Sequence, residues 1–161
     1  MADILVVIVT WNGMEWISRC IDSVVGSDMR ADIFVVDNGS TDGTVEWLLD
    51  KDRSLLYALA GDGKTIWEQR IGIVSTMQFV RCGQLDDTYA IADIFLNKPR
   101  PLHDLLQKAV GWLLRDAGKR DEDRLRHYLE INRMRMPRTT LRYAIEKFPP
   151  EERSDFLRGR E

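Results

Sequence analysis

Two sets of side chains in this 161-residue sequence could do chemistry. The first is a spaced series of cations around one aromatic. Arg70, Lys108 and Arg142 are 38 and 34 residues apart, and Trp112, Arg115 and Lys119 follow Lys108 at helical intervals. Cations recurring at such a distance on stacked helices would form a row, which is what a duplex phosphate backbone requires. The same charges also suit a solvated helix face, and a tryptophan among apolar residues ordinarily packs in a core. The second set is Thr10, Asn12, Asp37, Asn38, Ser40 and Asp42, each just beyond a β-branched run. Their carboxylates and amides can accept hydrogen bonds from ribose hydroxyls or a base N–H. Asp, Asn and Ser also dominate simple turns. Asp86 and Asp87 open a predicted helix, where carboxylates meet the helix dipole favourably. No metal site and no cofactor is expected.

The elements that must position these residues change character along the chain. DILVVIVT (3–10) and IFVVD (33–37) are continuous apolar runs of the kind buried on both faces of a parallel sheet. Between them Trp16, Ile17, Cys20, Ile21, Val24 and Val25 recur at helical spacing. Strand, helix, strand implies a right-handed β-α-β crossover, with Thr10, Asn12, Asp37 and Asn38 beyond the carboxyl ends of the strands. From residue 46 the period becomes helical and stays so. Helices are predicted at 43–60, 64–81, 85–96, 102–117, 121–132 and 137–147, with a tail helix at 150–158. Breaks are expected at 61–63, 82–84, 97–101, 136–137 and 149–150, where glycine and proline cluster. WEQRIGIV (67–74), LLQKAVGW (105–112) and TLRYAIEK (140–147) form a weak internal repeat. Their separation fits a HEAT-like period of ~35–45 residues. The expected fold is mainly α: a solenoid of about three helical pairs (46–161), preceded by a β-α-β unit (1–45).

Charge divides the chain at the same place. Residues 1–45 hold two basic and seven acidic residues, whereas 46–161 hold 21 basic and 19 acidic. The longest apolar run, ILVVIV at 4–9, is too short to span a bilayer. Nothing around it reads as a signal peptide. Cys20 and Cys82 have no metal-ligand spacing and are expected as buried thiols in a reducing, cytoplasmic compartment.

IVTWNG (8–13) and VVDNGSTDGT (35–44) resemble the opening motifs of the family 2 glycosyltransferases, which have a nucleotide-binding GT-A fold. The resemblance implies that Thr10, Asn12, Asp37 and Asn38 hold the uracil and ribose of a sugar nucleotide. The family's further strands, DxD metal motif and later base have no counterpart after residue 50, so glycosyl transfer is not expected.

LLDKDRSLLYALA, IWEQRIGIVSTMQFVR, KAVGWLLR and MPRTTLRYAIEKFPPEER resemble the carboxyl-terminal half of the DNA alkylation repair proteins, HEAT-like alkylpurine DNA glycosylases. The resemblance covers about 46–161. It implies duplex DNA, alkylated or abasic, as the partner. It carries the family's later tryptophan onto Trp112 and its arginine onto Arg70. Gly111 beside Trp112 leaves room for close backbone approach, and Trp67 is expected in the core. The family's WDxxD segment, which supplies a carboxylate for its cationic transition state, has no match here. VVDNGSTDGTVEW stands in its place, so the catalytic carboxylate is expected to be lost. Three readings follow: a DNA-binding relative of the glycosylases, a sugar-nucleotide binder without a transfer site, or a folded chimera without function. An uncapped stack or a two-stranded sheet would also expose apolar surface and favour self-association.

Overall fold

The computed structural model describes residues 4–99 and 101–158. Arg100, within the expected break at 97–101, lies outside them. The described chain runs β1 (Ile4–Thr10), α1 (Met14–Val25), β2 (Ala31–Asp37), α2 (Thr44–Leu49), α3 (Ser54–Asp62), α4 (Ile66–Val74) and α5 (Thr76–Arg81). It continues through α6 (Asp86–Leu96), α7 (Asp104–Gly118), α8 (Glu122–Asn132), α9 (Arg138–Ala144) and α10 (Pro150–Leu157). It is a mainly α protein with one β-α-β unit. Two compact units divide between Leu55 and Leu56, inside α3. The sequence changes character earlier, at 45–46. No described helix is long and apolar enough to cross a membrane.

In the first unit β1 and β2 pair in parallel, in register from Ile4 with Ala31 to Thr10 with Asp37. The strands are not buried on both faces as their composition suggested. Leu5, Val7 and Val9 are 57%, 56% and 65% exposed, while the alternating Val6 and Ile8 are half-buried. Successive strand residues point to opposite faces, so a single crossover helix covers one face of such a ribbon and leaves the other open. The thiols are a second correction. Cys20 and Cys82 are both free and exposed. α1 buries only Ile17, and Cys82 caps α5 where the chain turns at left-handed Gly83.

Two helices expected as continuous are broken, each by local side-chain chemistry. The segment 43–60 divides into α2 and α3. The Asp52 carboxylate accepts from the Ser54 N–H at 2.9 Å and the Ser54 hydroxyl at 2.7 Å, which starts a new helix. The Arg53 guanidinium donates to the Leu49 carbonyl and satisfies the open end of α2. The segment 64–81 divides at Ser75, which ends α4 and begins α5. There the Thr76 hydroxyl donates back to the Ile73 carbonyl at 2.7 Å, a bond that competes with the helical ladder.

The second unit is organised around α7. α9 and α4 pack on it most extensively, α5, α6 and α8 also pack on α7, and α10 packs on α9. α7 and α9 run in the same direction: Gly111 meets Thr140 and Tyr143, and Arg115, one turn further on, reaches Glu146. The stripe of α7 holding Leu106, Val110, Leu113, Leu114 and Ala117 is fully or almost fully buried. Ile73, Ile91, Leu125, Leu129 and Leu141 complete the core.

Side-chain bonds tie positions 35 to 38 residues apart. The Arg70 guanidinium donates to the Leu105 carbonyl at 2.7 Å, 35 residues along the chain. The Tyr128 hydroxyl donates to Asp93 at 2.9 Å, also 35 residues apart. The Arg124 guanidinium bonds Asp86 at 2.7 Å and lies 4.6 Å over the Tyr89 ring. Burial pushes the Tyr89 phenol up to about 12.

Candidate nucleic-acid interface

Lys108, Trp112, Arg115 and Lys119 lie three or four residues apart along α7 and its C-cap, and so share one helix stripe. Trp112 is half-buried there, while its neighbours Gly111, Leu113 and Leu114 are buried. Arg70 reaches this helix from α4 through its bond to the Leu105 carbonyl. Arg142 is exposed on α9, one turn before Glu146, which pairs with Arg115. These cations and the tryptophan are thus carried on α4, α7 and α9, helices of which α4 and α9 both pack on α7. Trp67 is not in the core as expected. It is 62% exposed, because α4 turns its other side, Gly72 and Ile73, inward.

The close approach expected at Gly111 is present. A Cβ there would lie 2.4 Å from the Thr140 carbonyl oxygen and 2.6 Å from the Tyr143 Cβ. Nothing larger than hydrogen fits, so α9 is held against the stripe that carries Trp112.

Three cations of the row are paired with carboxylates. Lys108 pairs with Asp104 at 2.6 Å, and that hydrogen bond raises the ammonium's pKa. Lys119 pairs with Asp116 at 2.5 Å. Arg115 pairs with Glu146 and lies 3.6 Å from Asp116. The Asp104–Lys108 and Asp116–Lys119 pairs have the i,i+4 and i,i+3 spacings that a sequence displays. Glu146 comes from the turn that follows α9, 31 residues along the chain from Arg115.

At the amino end, Thr10, Asn12, Asp37 and Asn38 do converge beyond the two strand ends. Thr10 and Asp37 are register partners, and the Asn38 N–H donates to the Thr10 carbonyl at 2.9 Å. Their polar atoms, however, largely bond one another. The Asp37 carboxylate accepts from the Gly39 and Ser40 N–H groups, both at 2.9 Å, and from the Ser40 hydroxyl. The Asn12 side-chain oxygen accepts from the Thr41 N–H at 2.8 Å, while Asn12 itself takes the left-handed conformation. Asp42 accepts from the Thr44 hydroxyl and from the Met14 N–H, and these bonds lower its pKa below 3.8. Asp86 and Asp87 open α6, where Asp86 pairs with Arg124 and Asp87 accepts from the Tyr57 hydroxyl at 2.7 Å. Among the described residues no cluster of His, Cys, Asp or Glu is arranged to hold a metal.

A mainly α chain whose helices pack around α7, with a β-α-β unit earlier in the sequence, is the class that fold and site define. Residues 32–148 match the family described as DNA alkylation repair enzyme, and the chain belongs to that family. Residues 5–57 match glycosyl transferase family 2, and both matches take in 32–57, from β2 into α3. No curated protein and no solved structure matches the chain.

Proposed function

We propose that this protein binds duplex DNA across α4, α7 and α9, as a HEAT-like relative of the alkylpurine glycosylases that does not excise bases. The observation that carries this reading is the stripe Lys108, Trp112, Arg115 and Lys119 on α7, with Arg70 and Arg142 on the two helices α4 and α9 that pack on it. Cations would neutralise phosphates, and the half-buried indole offers a face to an unstacked base or a cationic purine. Excision is not expected, because none of the five tryptophans in the sequence is followed by aspartate, and WDxxD is therefore absent. The test compares fluorescence anisotropy on an abasic-analogue duplex and on an undamaged one. Tighter binding to the abasic-analogue duplex supports the reading, and no binding to either at low salt refutes it.

The ion pairs give a prediction of opposite sign to the usual loss on mutation. Glu146→Gln removes the carboxylate that occupies Arg115. Freed for a phosphate, Arg115 should strengthen duplex binding at low salt and steepen the slope of log affinity against log salt by about 0.9. Parallel salt titrations of the two proteins check this. An unchanged slope would mean that Arg115 does not reach the backbone.

A second reading is favoured by the convergence of Thr10 with Asp37 and of Asn12 with the 38–41 turn. There the unit would bind a sugar nucleotide, exchanging the turn's internal bonds for the base and ribose. Titration calorimetry with a uridine-diphosphate sugar tests it. Saturable heat that Asp37→Ala abolishes would support this reading, and its absence would exclude it.

A further inference from the structure

We propose that Tyr143 is a second aromatic contact of the α7–α9 face, stacking on an unpaired base at an interruption in the duplex. This rests on the DNA-binding reading and adds a source of preference for damaged over intact DNA. Tyr143 lies on α9 where that helix comes closest to α7, and its Cβ is fixed against Gly111, the residue before Trp112. Tyr143 is nevertheless 36% exposed, and it lies near Lys108. The close contact with Gly111 is made by the Tyr143 Cβ and not by the ring. Lys108, paired with Asp104, is its neighbouring cation, and the half-buried Trp112 follows Gly111 in the chain. An intact duplex keeps its bases stacked on each other, so a ring platform gains little from it. A base beside a gap has lost a neighbour and can take an aromatic face instead.

The experiment measures duplex affinity of the whole chain and its Tyr143→Ala, Tyr143→Leu and Tyr143→Phe variants, on undamaged DNA and on a duplex with one abasic analogue. All three keep the Cβ that packs against Gly111, and thermal melting checks that each is folded. Alanine and leucine are expected to cut the preference for the interrupted duplex about tenfold, with undamaged affinity within about twofold of the parent. Phenylalanine should keep the preference. Preference retained by the folded alanine or leucine variant, or lost in the phenylalanine one, would overturn the proposal. So would a parent that binds both duplexes equally. A parent that binds neither would instead defeat the DNA-binding reading itself.

Discussion

Gly111→Ala is expected to destabilise the helical unit by about 3 kcal/mol and to lower its Tm by about 10 °C. The added methyl would sit 2.4 Å from the Thr140 carbonyl oxygen, a backbone atom that cannot swing away. Relief requires α9 to shift bodily from α7, and Leu141, Ala144 and Ile145, all fully or almost fully buried, would move with it. Gly61→Ala gives the contrast within one protein. Gly61 is inside α3, and a Cβ there meets only the Ile94 side chain, at 3.9 Å. That is ordinary contact, so the substitution should stabilise by roughly 0.5–1 kcal/mol through helix propensity and a less flexible unfolded chain. Thermal melts of the two variants check both signs. A Gly111→Ala protein that melts with the parent would contradict the close packing of α7 and α9.

The second large effect is on binding. The Arg70→Ala, Trp112→Ala double variant should lose duplex affinity on the order of 100-fold, combining one cation with one stacking surface. Arg70 is positioned by the Leu105 carbonyl, not by a carboxylate, so its charge stays available to a phosphate. Trp112 is half-buried, and its loss also removes packing area. Arg70→Ala alone therefore serves as the control for charge, with a smaller expected loss and a reduced salt slope. Equal affinity of the parent and the double variant would move the DNA contacts off this face.

Most of the helical unit was legible in the sequence, because its helices bury apolar residues at a constant period. The breaks that escaped notice depend on single polar atoms. Asp52 capping Ser54 and Thr76 bonding back to Ile73 leave the apolar period of α2–α3 and α4–α5 intact while stopping the backbone ladder. The first unit misled in a different way. A run such as ILVVIV reads as buried on both faces, but burial needs cover, and β1 has an open face. Trp67 was misplaced for a related reason: it lies on a helix whose other side supplies the buried residues, and Cys20 lies on α1, which buries Ile17 alone. At the candidate site, the stripe on α7 follows directly from spacing. Its partial neutralisation by Glu146 does not, since that pair joins residues 31 positions apart.

The DNA-binding reading rests on cations that meet phosphates, and salt dependence reports that contact directly. The most direct measurement is anisotropy of an abasic-analogue duplex titrated with the whole chain over a series of salt concentrations. Five cations on the face are offset by three carboxylates, so the predicted slope of log affinity against log salt is about −2. It should become shallower by about 0.9 in Arg70→Ala. A slope near zero, or one that Arg70→Ala leaves unchanged, would contradict duplex binding at α4, α7 and α9.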